Sequence, residues 1–324
     1  LETPIRALLG ACCCIASFHL PAAEPAYPVK PVRIIVPFAA GGPTDIVART
    51  VGQQLTLAFG QSVVIDNRPG AGGVLGADLA AKSAPDGYTL LLCSTGAMAI
   101  NPGLLPAMPY DPVRDFAPIT LVVTIPYLLL VQPSFPAQSV KDLVAYAKAR
   151  PGQMNYGSAG TGTTSHLAME LFRSMAGISI VHVPYKGSAL AATDLVGGQL
   201  QLMFDAPPSA LPFVRSGKLR ALGISTSRRS QLLPDMPTIT EAGVPGFEVL
   251  TWSGICAPAR TPRAIIARLN ESIVTGVSSK DTREKFSALG ADVVANSPDA
   301  YGKFIVSELA KWSRAIKESG AAAH

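Results

Sequence analysis

Short apolar runs alternate with amphipathic stretches along most of the chain. Residues 32–36 are an uninterrupted β-rich run that meets a small-residue segment at 37–45, after which Ile46, Val47, Val51 and Leu55 recur at helical spacing through Phe59. The pattern of strand, Gly-rich turn and helix repeats at 63–65, 67–73 and 74–82, and a Pro85-Asp86-Gly87 turn leads into a strand at 88–93. A second series follows strand-like runs at 119–123 and 127–131. It predicts helices at 140–149, from the end of the 158–165 loop to 175, at 188–196 and at 207–214, alternating with strands at 154–157, 180–183, 200–204 and 219–225. A turn-rich stretch at 234–247 precedes an extended apolar run at 249–257, and helices are predicted at 262–277, 281–289 and 298–317. The alternation predicts an α/β protein, and the unbroken apolar strands predict parallel sheets covered by helices. Two such series and a helical tail give two lobes, with periodicity silent on which lobe receives the tail.

Composition narrows the class. The 324 residues are 48% hydrophobic and 15% charged, which excludes a disordered chain or a coiled coil, and the 29 Gly and 28 Pro follow no collagen period. The formal charge of +5 is scattered, so no nucleic-acid stripe forms. Residues 7–18 are an apolar or small stretch after Arg6, followed by small residues and prolines to Ala26. This reads as a secretory signal peptide over 1–26, a buried strand or short helix being the rival reading, and it is shorter than the ~20 residues a bilayer span needs. Leu9-Gly10-Ala11-Cys12 faintly resembles a lipoprotein acceptor, with Gly10 a poor fit. Three of the five cysteines lie in that leader; Cys93 and Cys256 lie in apolar runs, where buried free thiols are expected and a disulfide between them is the alternative.

Two loops follow a strand and open a helix. In 37–45, Gly41 and Gly42 beside Thr44 allow a ligand to approach the backbone, and free amides at the helix start favour an anion; an ordinary tight turn explains the same residues, and Asp45 explains itself as a cap. In 157–166, the glycines have phosphate-loop spacing, but Thr163 stands where the lysine belongs, which removes nucleotide hydrolysis. A nest of N–H groups and hydroxyls remains, with an elaborate Ser/Thr helix cap as the alternative. Ser158 lacks the glycine a nucleophile elbow needs at Tyr156, and His166 and His182 have no metal-ligand spacing. Asp205 ends a strand before Pro207 and suits a ligand ammonium or hydroxyl, or a helix cap, equally. Lys186 is either an anion contact or a plain surface lysine, and Trp252 either stacks on a ligand or belongs to the core.

The runs IIVPFAAGGPTDIVAR (34–49), VVIDNRPGAGG (63–73), PDGYTLLL (85–92), YDPVRDFAPIT (110–120), NYGSAGTGTTSHLAMELF (155–172), VPYKG (183–187) and MFD (203–205) share one pattern. Together they resemble the Bug, or TctC-like, extracytoplasmic solute receptors of tripartite tricarboxylate transporters. The resemblance implies a type II periplasmic binding protein: two α/β lobes, 27–125 plus 252–324 and 126–251, with a ligand cleft and two hinge crossovers near 124–131 and 245–257. It implies a periplasmic monomer, without cofactor, metal or catalysis, that captures a small carboxylate for membrane transporter subunits, or, in the alternative reading, reports it to a signalling system. The ligand residues it implies are Phe38, Ala39, Ala40, Gly41 and Thr44 in the first loop, and Ser158, Ala159, Gly160, Thr161, Thr163 and His166 in the second. Ser94, Thr95, Lys186, Asp205 and Trp252 are expected at the distal part of the ligand. If Asp205 faces the ligand, a trianion such as citrate is repelled and an amino acid, hydroxy acid or aromatic acid is favoured. Arg260, where such receptors often have Gly, lies too far past the crossover to be assigned to the pocket.

Overall fold

A computed structural model describes residues 27–38, 40–185, 187–230 and 233–319. The expected leader, with its cysteines and lipidation site, lies outside the described residues. The chain opens with β1 (Val32–Val36), α1 (Pro43–Phe59), β2 (Val63–Asn67), α2 (Val74–Ala81) and β3 (Thr89–Ser94). A π-helical turn over Gly96–Ile100 runs into the single turn α3 (Asn101–Leu104), which the sequence pattern did not announce. Next come β4 (Phe116–Pro126), β5 (Leu128–Val131), α4 (Val140–Ala149), β6 (Asn155–Ser158), α5 (Thr164–Ala176) and β7 (Val181–Pro184). Then follow α6 (Ser188–Val196), β8 (Leu202–Asp205), α7 (Pro207–Arg215), β9 (Arg220–Ile224) and β10 (Leu250–Pro258). The chain closes with α8 (Arg263–Val277), α9 (Lys280–Ala288), β11 (Asp292–Val293) and α10 (Pro298–Ser319).

The strands form two sheets, β11-β4-β10-β3-β1-β2 and β7-β6-β8-β5-β9. Neither is wholly parallel, which corrects the sequence expectation. β1 pairs in parallel with β2 and β3, and β6 with β7 and β8. β10, however, runs antiparallel to both β3 and β4, and β5 antiparallel to both β8 and β9. The cause is the path of the chain: β4 leaves the first sheet and becomes β5 of the second with only Tyr127 between them, while β10 brings the chain back beside β4. Apolar content reports burial of both faces and says nothing about the direction of such crossing strands.

Ser225 binds the two crossings together. Its Oγ accepts the Tyr127 N–H at 2.8 Å and donates to the Val249 carbonyl, while its own N–H donates to the Tyr127 carbonyl and its carbonyl accepts the Val249 N–H, both at 2.9 Å. After the return, α8 packs on α1 and β4, β11 pairs with β4, and α10 packs against β4, the π turn and α5. Buried apolar side chains continue from Ile35, Leu91 and Trp312 to Phe172, Phe204 and Phe247, so the sheets share a core behind the space that separates them. Cys93 and Cys256 are free and buried on neighbouring strands, and burial pushes the Cys93 thiol well above its ordinary range.

Candidate functional site

A cavity of about 390 Å³ opens between the sheets. Its first-sheet wall includes Phe38, Pro43, Thr44, Gly72, Ser94 and Gly96, all in segments that leave the C-terminal ends of parallel strands or begin the helices after them. Ala159, Thr163, Ser165, Ser188, Asp205 and Ser209 line the opposite wall, with Ile125, Tyr127, Thr251, Trp252 and Ser253 on the crossings. Asp205 is the one charged residue among the described lining residues.

The first loop is braced from behind. Asp45 is buried; its Oδ2 accepts the Gly41 N–H at 2.9 Å and the Arg49 Nε–H at 2.7 Å, and its Oδ1 accepts from Asn67 Nδ2 at 3.0 Å. Asn67 Nδ2 also donates to the Phe38 carbonyl at 3.0 Å. Burial alone raises the Asp45 pKa, but the bonds from Arg49, Gly41 and Asn67 outweigh it and hold the carboxyl below its ordinary value. Asp45 is thus a loop brace, and the first turn of α1, whose N-cap Gly42 offers no side-chain acceptor, meets the cavity at Pro43 and Thr44.

The second loop spends most of its donors on itself. The Ala159 amide donates to Ser165 Oγ at 3.0 Å, that of Gly160 to Ser158 Oγ at 3.1 Å, that of Gly162 to His166 Nδ1 at 3.2 Å and that of Thr163 to the Gly160 carbonyl at 3.3 Å. Among the described residues, the amides of Thr161, Thr164 and Ser165 remain, together with hydroxyls. The open nest expected from the glycines is therefore a self-bonded cap. Thr163 is the N-cap of α5, accepting the His166 amide at 3.4 Å and donating to the Gly160 carbonyl at 2.6 Å. Gly162 has φ +77°, and a Cβ there would stand 3.2 Å from Leu104 Cδ1, which reaches over from α3 of the other lobe.

Beneath this loop lies a polar stack, buried except for the half-buried His182 and Arg173. Ser158 Oγ and His182 Nε2 are 2.6 Å apart, His182 stacks on His166 at 4.0 Å between ring centres and on Tyr156 at 4.8 Å, and Tyr156 Oη donates to Glu170 Oε1 at 2.6 Å. Arg173 neutralises Glu170 through a 2.6 Å contact. Burial, and then the charge of His166, push the His182 pKa down to about 4; burial likewise lowers that of His166. Ser158 is fully buried, so its contact with His182 supports the loop rather than presenting a nucleophile.

Asp205, 3% exposed, accepts its neighbour Ala206 N–H through Oδ1 at 2.9 Å, while Oδ2 has no hydrogen-bond partner among the described residues. Burial raises its pKa above the ordinary carboxylate value despite nearby Ser209 and Ser188. Across the cavity, Thr95 Oγ1 accepts the Trp252 amide at 2.8 Å.

Of the residues expected from sequence, Phe38, Thr44, Ser94, Ala159, Thr163, Asp205 and Trp252 line the cavity. Ala40, Gly41, Thr95, Ser158, Gly160, Thr161 and His166 stand beside or behind that lining, several as the braces just described; Ala39 and Lys186 lie outside the described residues. Sequence reasoning did not single out Gly72, Tyr127, Ser188, Ser209 or Thr251. Gly72 was visible as part of a Gly-rich strand-to-helix loop, Tyr127 and Thr251 only as members of crossing strands. Arg260, at φ +69°, faces a separate surface groove with Arg263 and Lys303. No three His, Cys, Asp or Glu side chains converge to hold a metal, and no helix is long and apolar enough to cross a membrane, among the described residues.

Residues 47–321 match the family described as the tripartite tricarboxylate transporter family receptor. The chain belongs to this receptor family. It is 40% identical over 320 residues to protein BugT of Bordetella pertussis (strain Tohama I), covering 98% of each chain. It superposes on R. palustris Rpa4515 with adipate at a TM-score of 0.81 with 39% identity, covering 91% of this chain and 99% of that one. MatC (Rpa3494) from Rhodopseudomonas palustris with bound malate gives 0.77 and 35%, covering 90% and 100%. The fold is that of two-lobed type II solute receptors, the protein is a periplasmic binding protein, and its family is one of receptors rather than enzymes.

Proposed function

We propose that this receptor captures a small carboxylate-containing compound in the cleft and hands it to the membrane subunits of a tripartite tricarboxylate-type transporter. The observation that carries the reading is the cavity itself: two helix-starting loops of opposite lobes face one another across a space whose described lining has no cation. A carboxylate held there is stabilised by oriented amides, hydroxyls and water in place of an ion pair, as the start of α1 and the Thr164 and Ser165 amides permit. The adipate and malate carried by the two Rhodopseudomonas relatives have this chemistry.

In this reading Phe38, Thr44, Ala159, Thr163 and Ser165 embrace the carboxylate, and Ser94, Asp205 and Trp252 meet the rest of the ligand. The lobes divide at residues 126 and 252, the ligand docks on one lobe, and rotation about the crossings brings the other over it. The closed form is what the membrane subunits recognise.

The test is a thermal-shift screen of the ligand-stripped protein against malate, adipate, citrate, amino acids and aromatic acids, with calorimetry on every compound that shifts the melt. A shift confined to one carboxylate class is expected, with citrate excluded by Asp205. Absence of any shift from folded protein overturns the proposal. Asp205→Asn then separates ligand chemistries. It strengthens binding of an acid whose second carboxylate lies against this side chain, and weakens by roughly tenfold one that donates to it, the scale of a hydrogen bond to a charged group.

A further inference from the structure

Trp252 lines the cleft, is only 1% exposed, and packs against the C-terminal helix α10. Tyr301 and Phe304 meet its rings edge-on at 6.0 and 5.4 Å between centres. Glu308 Oε2 accepts the Trp252 indole N–H at 2.9 Å and that of Trp312 at 3.1 Å, while Oε1 pairs with Lys311. Positions 301, 304, 308 and 312 recur at steps of three and four, so they share one face of the helix. Glu308 is 6% exposed, and its carboxylate is the partner of both indole donors.

An indole has two side-chain torsions. Packing from Tyr301 and Phe304 restricts it sideways, and a charge-assisted bond to its one polar atom fixes rotation of the ring plane. With the backbone amide bonded to Thr95, the residue is held at both ends. We infer that Glu308 is a positioning residue for ligand recognition: it holds the Trp252 indole as a fixed wall of the cleft, and so sets the shape of ligand the receptor accepts. The inference rests on the reading that the ligand meets Trp252. It places part of the specificity of the site on a helix that contributes no lining residue of its own.

The protein has two tryptophans, so a ¹⁵N-labelled sample gives two indole signals, assigned by Trp312→Phe. Malate and adipate are the probes. Glu308→Ala removes the acceptor, Glu308→Gln keeps an uncharged one, and Lys311→Met removes the ion pair but leaves the indole bond. For the acid that wild type binds, Glu308→Ala is expected to weaken affinity roughly tenfold, the scale of one charge-assisted hydrogen bond, with Glu308→Gln intermediate and Lys311→Met near wild type. The Trp252 indole signal follows the same order. A folded Glu308→Ala protein with wild-type affinity overturns the inference. Should that variant fail to fold, Glu308→Gln decides: a displaced Trp252 signal with weakened binding supports it, and a displaced signal with unchanged affinity overturns it. If neither acid gives heat with wild type, affinity is read with the acid that the screen identifies; if no carboxylate in that screen binds folded wild type, the carboxylate reading fails on that result alone. The positioning of Trp252 is then judged from the indole spectrum, where an unmoved signal in Glu308→Gln overturns it.

Discussion

His166 and His182 stack face to face under a loop whose shape they set, and both are held neutral by burial. For His182 the ordinary pKa of 6.5 falls to about 4 in the fold. The unfolded chain therefore takes up a proton near 6.5 that the folded protein refuses until about 4, so stability is full above that window and declines as pH falls through it. The expected slope is about 1.4 kcal/mol per pH unit for this residue, read as denaturant midpoints from pH 7 to 4. In His182→Gln the slope flattens; an equal slope in both proteins refutes the assignment. Burial also lowers the pKa of His166, and once protonated it can no longer accept the Gly162 amide, so acid that protonates it is expected to lower ligand affinity. Asp205 carries the opposite linkage. Burial raises its pKa, and a ligand carboxylate set against it raises it further, so binding a dianion is accompanied by proton uptake, detectable by calorimetry in two buffers of different ionisation enthalpy. Both acid-sensitive groups were visible in the sequence as single letters. Their environment was not, because it is built where strands β6, β7 and β8 meet helices α5, α6 and α7, a juxtaposition that only the fold creates.

Helix α5 depends on Thr163 for its start, and Thr163→Ala is expected to cost about 1 kcal/mol through the lost cap, with a larger effect on ligand affinity because the Gly160 carbonyl loses its hydroxyl donor. Strand β10 is less forgiving. A Cβ on Gly254 would stand 2.8 Å from the Thr120 carbonyl and closer still to Tyr301, so Gly254→Ala must displace either β4 or α10. Overpacking of this kind costs about 1 to 3 kcal/mol, and a thermal melt of the variant checks it. At this level much was legible: α4 and α6 fall on the expected residues, because strong periodicity and a following Pro or Gly mark them. The short β11 and the π turn after β3 were not, since a two-residue strand has no period and the five residues Gly96–Ile100 are too few to show one; that they pack against α10 is a contact distant in the chain. The spacing of Tyr301, Phe304, Glu308 and Trp312 was present in the sequence as an amphipathic face. Its meaning as the support of Trp252 required knowing that the last helix returns behind the cleft.

Two α/β units and a cleft between them follow from the alternation of strand and helix, whereas the mixed direction of the sheets depends on the chain crossing twice at one place. That place is Ser225. Ser225→Ala leaves the Tyr127 amide without its hydroxyl acceptor and the Val249 carbonyl without its hydroxyl donor, and about 2 kcal/mol of stability is expected to go with them. Scattering should show a broader distribution of lobe separations in the ligand-free variant than in wild type, while saturating ligand restores the compact form; identical distributions would count against a hinge at this residue. Four hydrogen bonds to one serine also join the two crossings into a single ribbon, so neither can twist without the other. Movement of one lobe against the other is then expected to follow one dominant coordinate. A single pair of spin labels, one on α8 and one on α6, is then expected to report closure as one changing distance, and a ligand that shifts it without narrowing it to one population would speak against such coupling.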